Sequence, residues 1–244
     1  MTQGDCHLCG ETYTKRGMSR HLRACLPDSS GDSTLHLRIA GARRTDYWVH
    51  LAVGTDTTLA GLDSFLRRLW LECCGHMSAF EIGNNWYEKP YSDEEPPVGL
   101  GATRRSMDVP IGSVVESDDE EFAYEYDFGS TTALVVRVVD AGGWTVETLA
   151  DRLTEDPARN DAETRTDAPD DDGIVLLARN RPPEVDCGAC GDPATQVCMT
   201  CLRERGPDAW LCAPCASAHE DDCARPTYLP YVSSPRAGVC GYTG

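Results

Sequence analysis

Between residues 187 and 223 the chain places four metal-ligand pairs in succession: Cys187-x-x-Cys190, Cys198-x-x-Cys201, Cys212-x-x-Cys215 and His219-x-x-x-Cys223. No other feature restricts the fold as much. Zn2+ takes four Cys or His donors in a tetrahedron, and a C-x-x-C turn offers two thiolates to one ion with backbone N–H groups aimed at the sulfurs. Eight donors therefore read as two closed sites. Pairing in sequence order would put Cys212, Cys215, His219 and Cys223 on one ion. If that stretch is helical, Cys215, His219 and Cys223 spread along about 12 Å of helix axis, too far to meet. Interleaving removes the conflict: Cys187/Cys190 with Cys212/Cys215, and Cys198/Cys201 with His219/Cys223. With four protein donors each, neither site keeps a position for water, so both read as structural. Binding of about 10–16 kcal/mol, the range for comparable peptides, would hold together a module too small for a core of its own.

A second constellation opens the chain, Cys6-x-x-Cys9 followed by His21-x-x-x-Cys25. It looks like a ββα zinc finger with cysteine as last ligand, and it brings the expected count to three structural Zn2+ ions. In the helix this spacing predicts, Met18, His21, Leu22 and Cys25 share an inner face. Arg16, Arg20 and Arg23 recur on another face, with Lys15 just before them. Such a basic stripe suits phosphate or base-edge contacts. A solvated face on a protein-binding finger fits the same residues equally well, and one finger spans only about three base pairs. Cys73, Cys74 and Cys240 remain, with His76 beside the first two. Adjacent cysteines are poor co-ligands, so these three are expected to be buried or semi-buried thiols.

The rest of the chain reads as α+β, a mostly antiparallel sheet with one major helix, flanked by two small zinc-binding modules. The finger occupies residues 1–26 and is closed by a turn-rich stretch, residues 27–33. An α+β domain follows over 34–140. Residues 35–39 alternate apolar and polar, which is strand period, and 47–53 make the hairpin partner. Leu59, Leu62, Phe65, Leu66, Leu69 and Trp70 recur at helical spacing behind Thr57 and Thr58 as candidate caps, and the helix should end near Gly75. Short strands at 79–82 and 85–87 flank a Gly83-Asn84 turn. Phe122, Tyr124, Tyr126 and Phe128 are expected on one strand face, followed by an apolar strand at 134–139. Residues 141–173 read as an acidic flexible linker with one short helix at 146–153. A strand within 174–186 should return to the central sheet; the two-zinc module covers 187–224 and an extended tail 225–244.

The formal net charge is -18 and Lys15 and Lys89 are the only lysines. Excess carboxylate with almost no lysine suits a halophilic cytosol, where molar salt shrinks the screening length to about 3 Å. There net charge does not exclude nucleic acid as a partner. Repeated C-x-x-C pairs favour metal over disulfides and a reducing cytoplasm. The polar start and the absence of any ~20-residue apolar run argue against a secretory leader or a membrane partner.

No catalytic or cofactor-binding residues are assigned. Asp127-Phe128-Gly129 matches a kinase triplet by letters only and reads as a hairpin turn. The run Asp118, Asp119, Glu120 and Glu121 reads as a solvated loop. An enzyme site around His76, Glu81, Asp63 and the Tyr124/Tyr126 strand is the competing reading, and a protein-binding adaptor is another.

The stretch at 69–82, Leu-Trp-Leu-Glu-Cys-Cys-Gly-His-Met-Ser-Ala-Phe-Glu-Ile, and the strand-turn at 124–130, Tyr-Glu-Tyr-Asp-Phe-Gly-Ser, resemble the plasmid pRiA4b ORF-3-like family. Residues 176–180 and the ending at 234–244 share the resemblance, which spans roughly two-thirds of the chain. It implies an α+β domain and no established activity. The C-terminal arrangement is also similar to cross-braced modules such as B-box or MYND fingers, which mainly bind other macromolecules. The function expected is that of a zinc-stabilised macromolecule-binding protein, associated with nucleic acid or ribosomes.

Overall fold

The structure, a computed structural model, describes residues 2–27, 33–89, 103–115, 120–154 and 173–244. The chain divides into two compact units: Met1–Leu69 with His76–Arg181, and Trp70–Gly75 with Pro182–Gly244.

The first unit is built on one sheet. In chain order its elements are β1 (Gln3–Cys6), β2 (Thr12–Thr14), α1 (Lys15–Cys25), β3 (Thr34–Gly41), β4 (Trp48–Gly54), α2 (Leu59–Leu66), β5 (Ser78–Ile82) and β6 (Asn85–Glu88). They continue with β7 (Thr103–Ser106), β8 (Glu121–Tyr126), β9 (Thr132–Gly142), α3 (Val146–Thr154) and β10 (Ile174–Asn180). Ten strands run in the order β2-β1-β10-β4-β3-β9-β8-β5-β6-β7. Every pairing is antiparallel except β6 with β7. The α+β class and the mostly antiparallel sheet are as the alternating patterns imply.

The finger is part of this sheet. Its β1 pairs with β10, Gly4 opposite Asn180. A Cβ on Gly4 would lie 2.2 Å from the Arg179 carbonyl oxygen, so only glycine admits the approach. Met18 and Leu22 of α1 are buried in the same cluster as Leu149 of α3, Trp48 and Ala52 of β4, and Val175 and Leu177 of β10. Helices α1 and α3 therefore share one face of the sheet.

Thr58 caps α2 by accepting from the Gly61 N–H at 3.1 Å, and Leu59, Leu62, Phe65 and Leu66 are buried. The helical pattern runs on past Leu66, but the hydrogen bonding changes there to a π-helical turn, Arg67–Leu71. Phe122, Tyr124 and Tyr126 are buried on β8, whereas Phe128 is 44% exposed. Period 2 places Phe128 with the others only if the strand continues; Asp127 at φ 64 ends it. The expected linker also starts later than residue 141. β9 extends to Gly142, and α3 buries Leu149 and Ala150. Residues 155–172 of that linker, most of the turn-rich 27–33 stretch, and Asp118 and Asp119 lie outside the described residues.

The second unit holds β11 (Gln196–Cys198), α4 (Met199–Arg205), β12 (Trp210–Leu211), α5 (Ala213–His219) and β13 (Tyr228–Pro230), with sheet order β12-β11-β13. Its apolar residues form two small clusters. One joins Val197 and Trp210 to Cys198, Cys201 and Cys223; the other joins Leu211 and Ala216 to Cys187 and Cys212. The cysteines are themselves part of each core. No helix among the described residues is long and apolar enough to cross a membrane.

Candidate metal centres and an arginine-lined groove

The second unit positions its sulfurs with helix starts. Cys198 is the N-cap of α4 and Cys212 the N-cap of α5, and Cys201 and Cys215 follow in the first turns. The opening turn of a helix presents N–H groups without intrahelical partners, and these favour thiolate over thiol. Cys198 shows the effect. Burial pushes its thiol up, but the Cys201 N–H, the His219 imidazole and the Thr227 N–H bring it down to about 7. Cys187 behaves alike: burial raises it, and N–H groups of Cys212, Ala189 and Cys190 outweigh that, to about 6. Cys201 moves the other way, to about 11, through desolvation and its thiol neighbours Cys223 and Cys198. Cys187 and Cys198 are thus held toward the thiolate that a metal ion takes, and Cys201 is held toward the thiol.

Which pairs meet is settled by the fold. The donor atoms of Cys187, Cys190, Cys212 and Cys215 lie within 4.8 Å of one another, and so do those of Cys198, Cys201, His219 and Cys223. The interleaved arrangement is present. Helix α5 sends Cys215 to one group and His219, at its end, to the other. Tetrahedral Zn–S bonds of 2.3 Å place sulfurs about 3.8 Å apart, and S–N edges come to about 3.6 Å. Here Cys190 and Cys212 are 3.6 Å apart and Cys201 and Cys223 3.7 Å, with 3.3 Å from Cys201 to His219 Nε2. These groups could hold metal ions, and all four members of the second are buried.

In the first unit Cys6, Cys9, His21 and Cys25 form a third group of the same kind. Cys6 and Cys25 approach to 4.0 Å and Cys9 and His21 Nε2 to 3.2 Å. The Tyr13 ring stacks on His21 at 4.4 Å and fixes its plane.

Three ions were expected, and four groups of donors are present among the described residues. Cys73, Cys74 and Cys240 of the second unit also converge, with 3.7 Å between Cys73 and Cys74 and 3.8 Å between Cys74 and Cys240. The expectation of burial fails for two of them, because Cys74 and Cys240 are exposed.

The basic stripe acquires partners that its sequence does not show. Arg16, Arg20 and Arg23 line a groove of about 570 Å3 together with Arg38 of β3 and Arg137 of β9. Arg38 and Arg137 stand directly opposite each other in the β3–β9 register. Like charges so placed repel. Burial and the Arg137 charge hold Arg38 below its ordinary range, although Glu121 opposes them. Arg23 is partly anchored, donating to the Val139 carbonyl at 2.6 Å and lying 3.8 Å from Asp140. Lys15 does not line the groove; its Nζ donates to the Thr45 carbonyl at 3.0 Å. Buried His36, which feels the charges of Arg23 and Arg38, shares a 2.8 Å hydrogen bond with His50.

The competing enzyme reading finds a satisfied network instead. Asp63 is buried and accepts from Arg67 Nε at 2.8 Å, Ser78 Oγ at 2.6 Å and the Tyr124 hydroxyl at 2.7 Å. A buried carboxylate that accepts from three fixed donors is a structural hub. His76 Nε2 lies 3.5 Å from Asp127, and Glu81 is exposed on β5.

No protein-family model matches the chain, and no curated protein does. Among solved structures it is similar to a protein of unknown function, MM3350, from Methanosarcina mazei Go1. That match has a TM-score of 0.37 and 19% identity, covering 45% of this chain and 61% of the other. A likeness that low informs neither fold nor function.

Proposed function

We propose that this is a zinc-stabilised nucleic-acid-binding protein whose contact surface is the arginine groove of the first unit. The observation that carries the reading is the gathering of Arg16, Arg20, Arg23, Arg38 and Arg137 in one groove of a chain with net charge -18. A solvated helix face explains three arginines. It does not explain two more set opposite each other on adjoining strands, which bring positive charge into the same groove while Glu121, opposite Arg137 on β8, offsets part of it. Phosphates of a nucleic-acid backbone supply repeated negative charge at groove scale, and arginine binds them through paired N–H groups. The metals are structural zinc in this reading, and the compartment is a reducing, salt-rich cytosol. Membership of the pRiA4b ORF-3-like family belongs to the same proposal and adds no activity to it.

The test is binding of a labelled random-sequence RNA and DNA oligonucleotide across a salt series. Each phosphate contact contributes about 0.7–0.9 to the slope of log affinity against log salt. Replacing Arg16, Arg20 and Arg23 by alanine should reduce that slope by about 2–3. The residues that anchor α1, Met18 and Leu22, are untouched by these changes. Binding with an unchanged slope, or no binding at low salt, contradicts the proposal. The second outcome would leave a protein partner as the reading.

A further inference from the structure

Cys73, Cys74 and Cys240 are not accounted for by the three groups that the sequence reveals. Two adjacent cysteines in a helix or strand point about 100° or 180° apart and cannot share an ion. Here the chain has left the π-helical turn at Leu71 and bends through residues 73–74, which brings the two sulfurs to 3.7 Å. Cys240 comes from 166 residues further on, 3.8 Å from Cys74. Both separations match the edge of about 3.8 Å that a tetrahedral zinc–sulfur centre requires. They are close to the spacing in the buried group of the same unit, 3.7 Å between Cys201 and Cys223.

The convergence is built. Cys240 holds φ 55, a left-handed conformation that residues with a side chain rarely adopt. The turn that presents it is pinned from inside the unit: Ser234 Oγ donates to the Trp70 carbonyl at 2.6 Å, and the Arg236 N–H donates back to Ser234 Oγ at 2.9 Å. The Arg236 side chain is fully buried, and its Nη2 lies 3.5 Å from Cys73 Sγ, a cationic donor aimed at sulfur. Hydrophobic burial does not draw exposed Cys74 and Cys240 together, since both remain in solvent.

We propose that Cys73, Cys74 and Cys240 form a fourth metal centre for Zn2+, exposed and exchangeable, which fastens the C-terminal tail to residues 70–75. Each thiol that ligates releases its proton to solvent as the ion binds. Three sulfurs leave one coordination position, and His76, one glycine beyond Cys74 in the chain, is the imidazole closest in sequence. Exposure separates this centre from the buried ones: its ion leaves first to a chelator.

The experiment uses the full chain, purified reduced and loaded with Zn2+ alone. Metal analysis should give four zinc per chain, falling to three in Cys240→Ser. Alkylation mapped by mass spectrometry tests the wild type without any substitution. Cys73, Cys74 and Cys240 should react at least about tenfold more slowly with zinc bound than after the first equivalent is chelated, as expected of a site occupied nearly all the time. Three zinc in the wild type, four in both proteins, or free-thiol alkylation rates in the loaded protein would each overturn the proposal.

Discussion

The two units use cysteine and histidine in the same spacing and depend on them differently. In the first, Cys6, Cys9, His21 and Cys25 sit at the edge of a ten-stranded sheet, and α1 is also held by Met18 and Leu22 in a cluster shared with Trp48, Leu149 and Val175. In the second, the sulfurs of Cys187, Cys198, Cys201, Cys212 and Cys223 belong to the small clusters that are its core. A metal ion held by these groups would be one support among several in the first unit and the main one in the second. Identical motifs therefore do not imply identical dependence, and surrounding apolar burial decides which case applies.

Chelation should separate the units most sharply. Removing ions worth about 10–16 kcal/mol each in comparable peptides should unfold the second unit. Amide exchange in β11 and β13 should then become fast while β3, β4 and β9 stay protected. Simultaneous loss of protection in both would break the contrast. Next in size is Asp63→Ala in the first unit, which leaves the Arg67 guanidinium without its carboxylate. Breaking such a pair should cost about 3–5 kcal/mol by denaturant titration, with zinc content unchanged. A loss below 1 kcal/mol would show that solvent already screens the pair. Gly4→Ala should cost about 1–3 kcal/mol through overpacking against β10. If stability is unchanged, the finger strand is not fixed to the sheet as the Gly4–Asn180 register indicates.

A further effect, absent at neutral pH, concerns acid. Burial pushes the His36 imidazole down to about 3, with Arg23 and Arg38 adding to the shift, and burial also lowers His50. The unfolded chain then binds more protons below its ordinary value of 6.5. Stability from keeping His36 neutral is complete above 6.5 and is lost as pH falls from there toward 3. By pH 5 the loss should be about 2 kcal/mol for His36. Comparing wild type with His36→Gln at pH 7 and pH 5 cancels the acid sensitivity shared by the metal sites. Equal pH slopes in the two proteins would remove His36 from the account.

What the sequence displays is what short range decides. The interleaving of Cys187/Cys190 with Cys212/Cys215 follows from the reach of one helix and the shape of a tetrahedron, so spacing alone suffices. The alternation in β3 and β4 is equally local. Residues brought together by register are not legible. Arg38 and Arg137 become neighbours only through β3–β9 pairing, and β1 meets β10 across most of the chain. Cys74 and Cys240 are separated by 166 residues, and the π-helical turn that ends α2 early leaves no mark in a pattern that stays apolar to Trp70. Phe128 shows the converse, because period 2 holds only to Tyr126 and the backbone turns at Asp127.

The central claim is the proposal that nucleic acid meets the first unit at the arginine groove and not the second unit. Photo-crosslinking of a bound random oligonucleotide, with the attachment sites mapped by mass spectrometry, tests it most directly. Crosslinks should fall on α1, β3 and β9 near Arg16, Arg20, Arg38 and Arg137. Crosslinks confined to residues 182–244, or none at low salt, would contradict it.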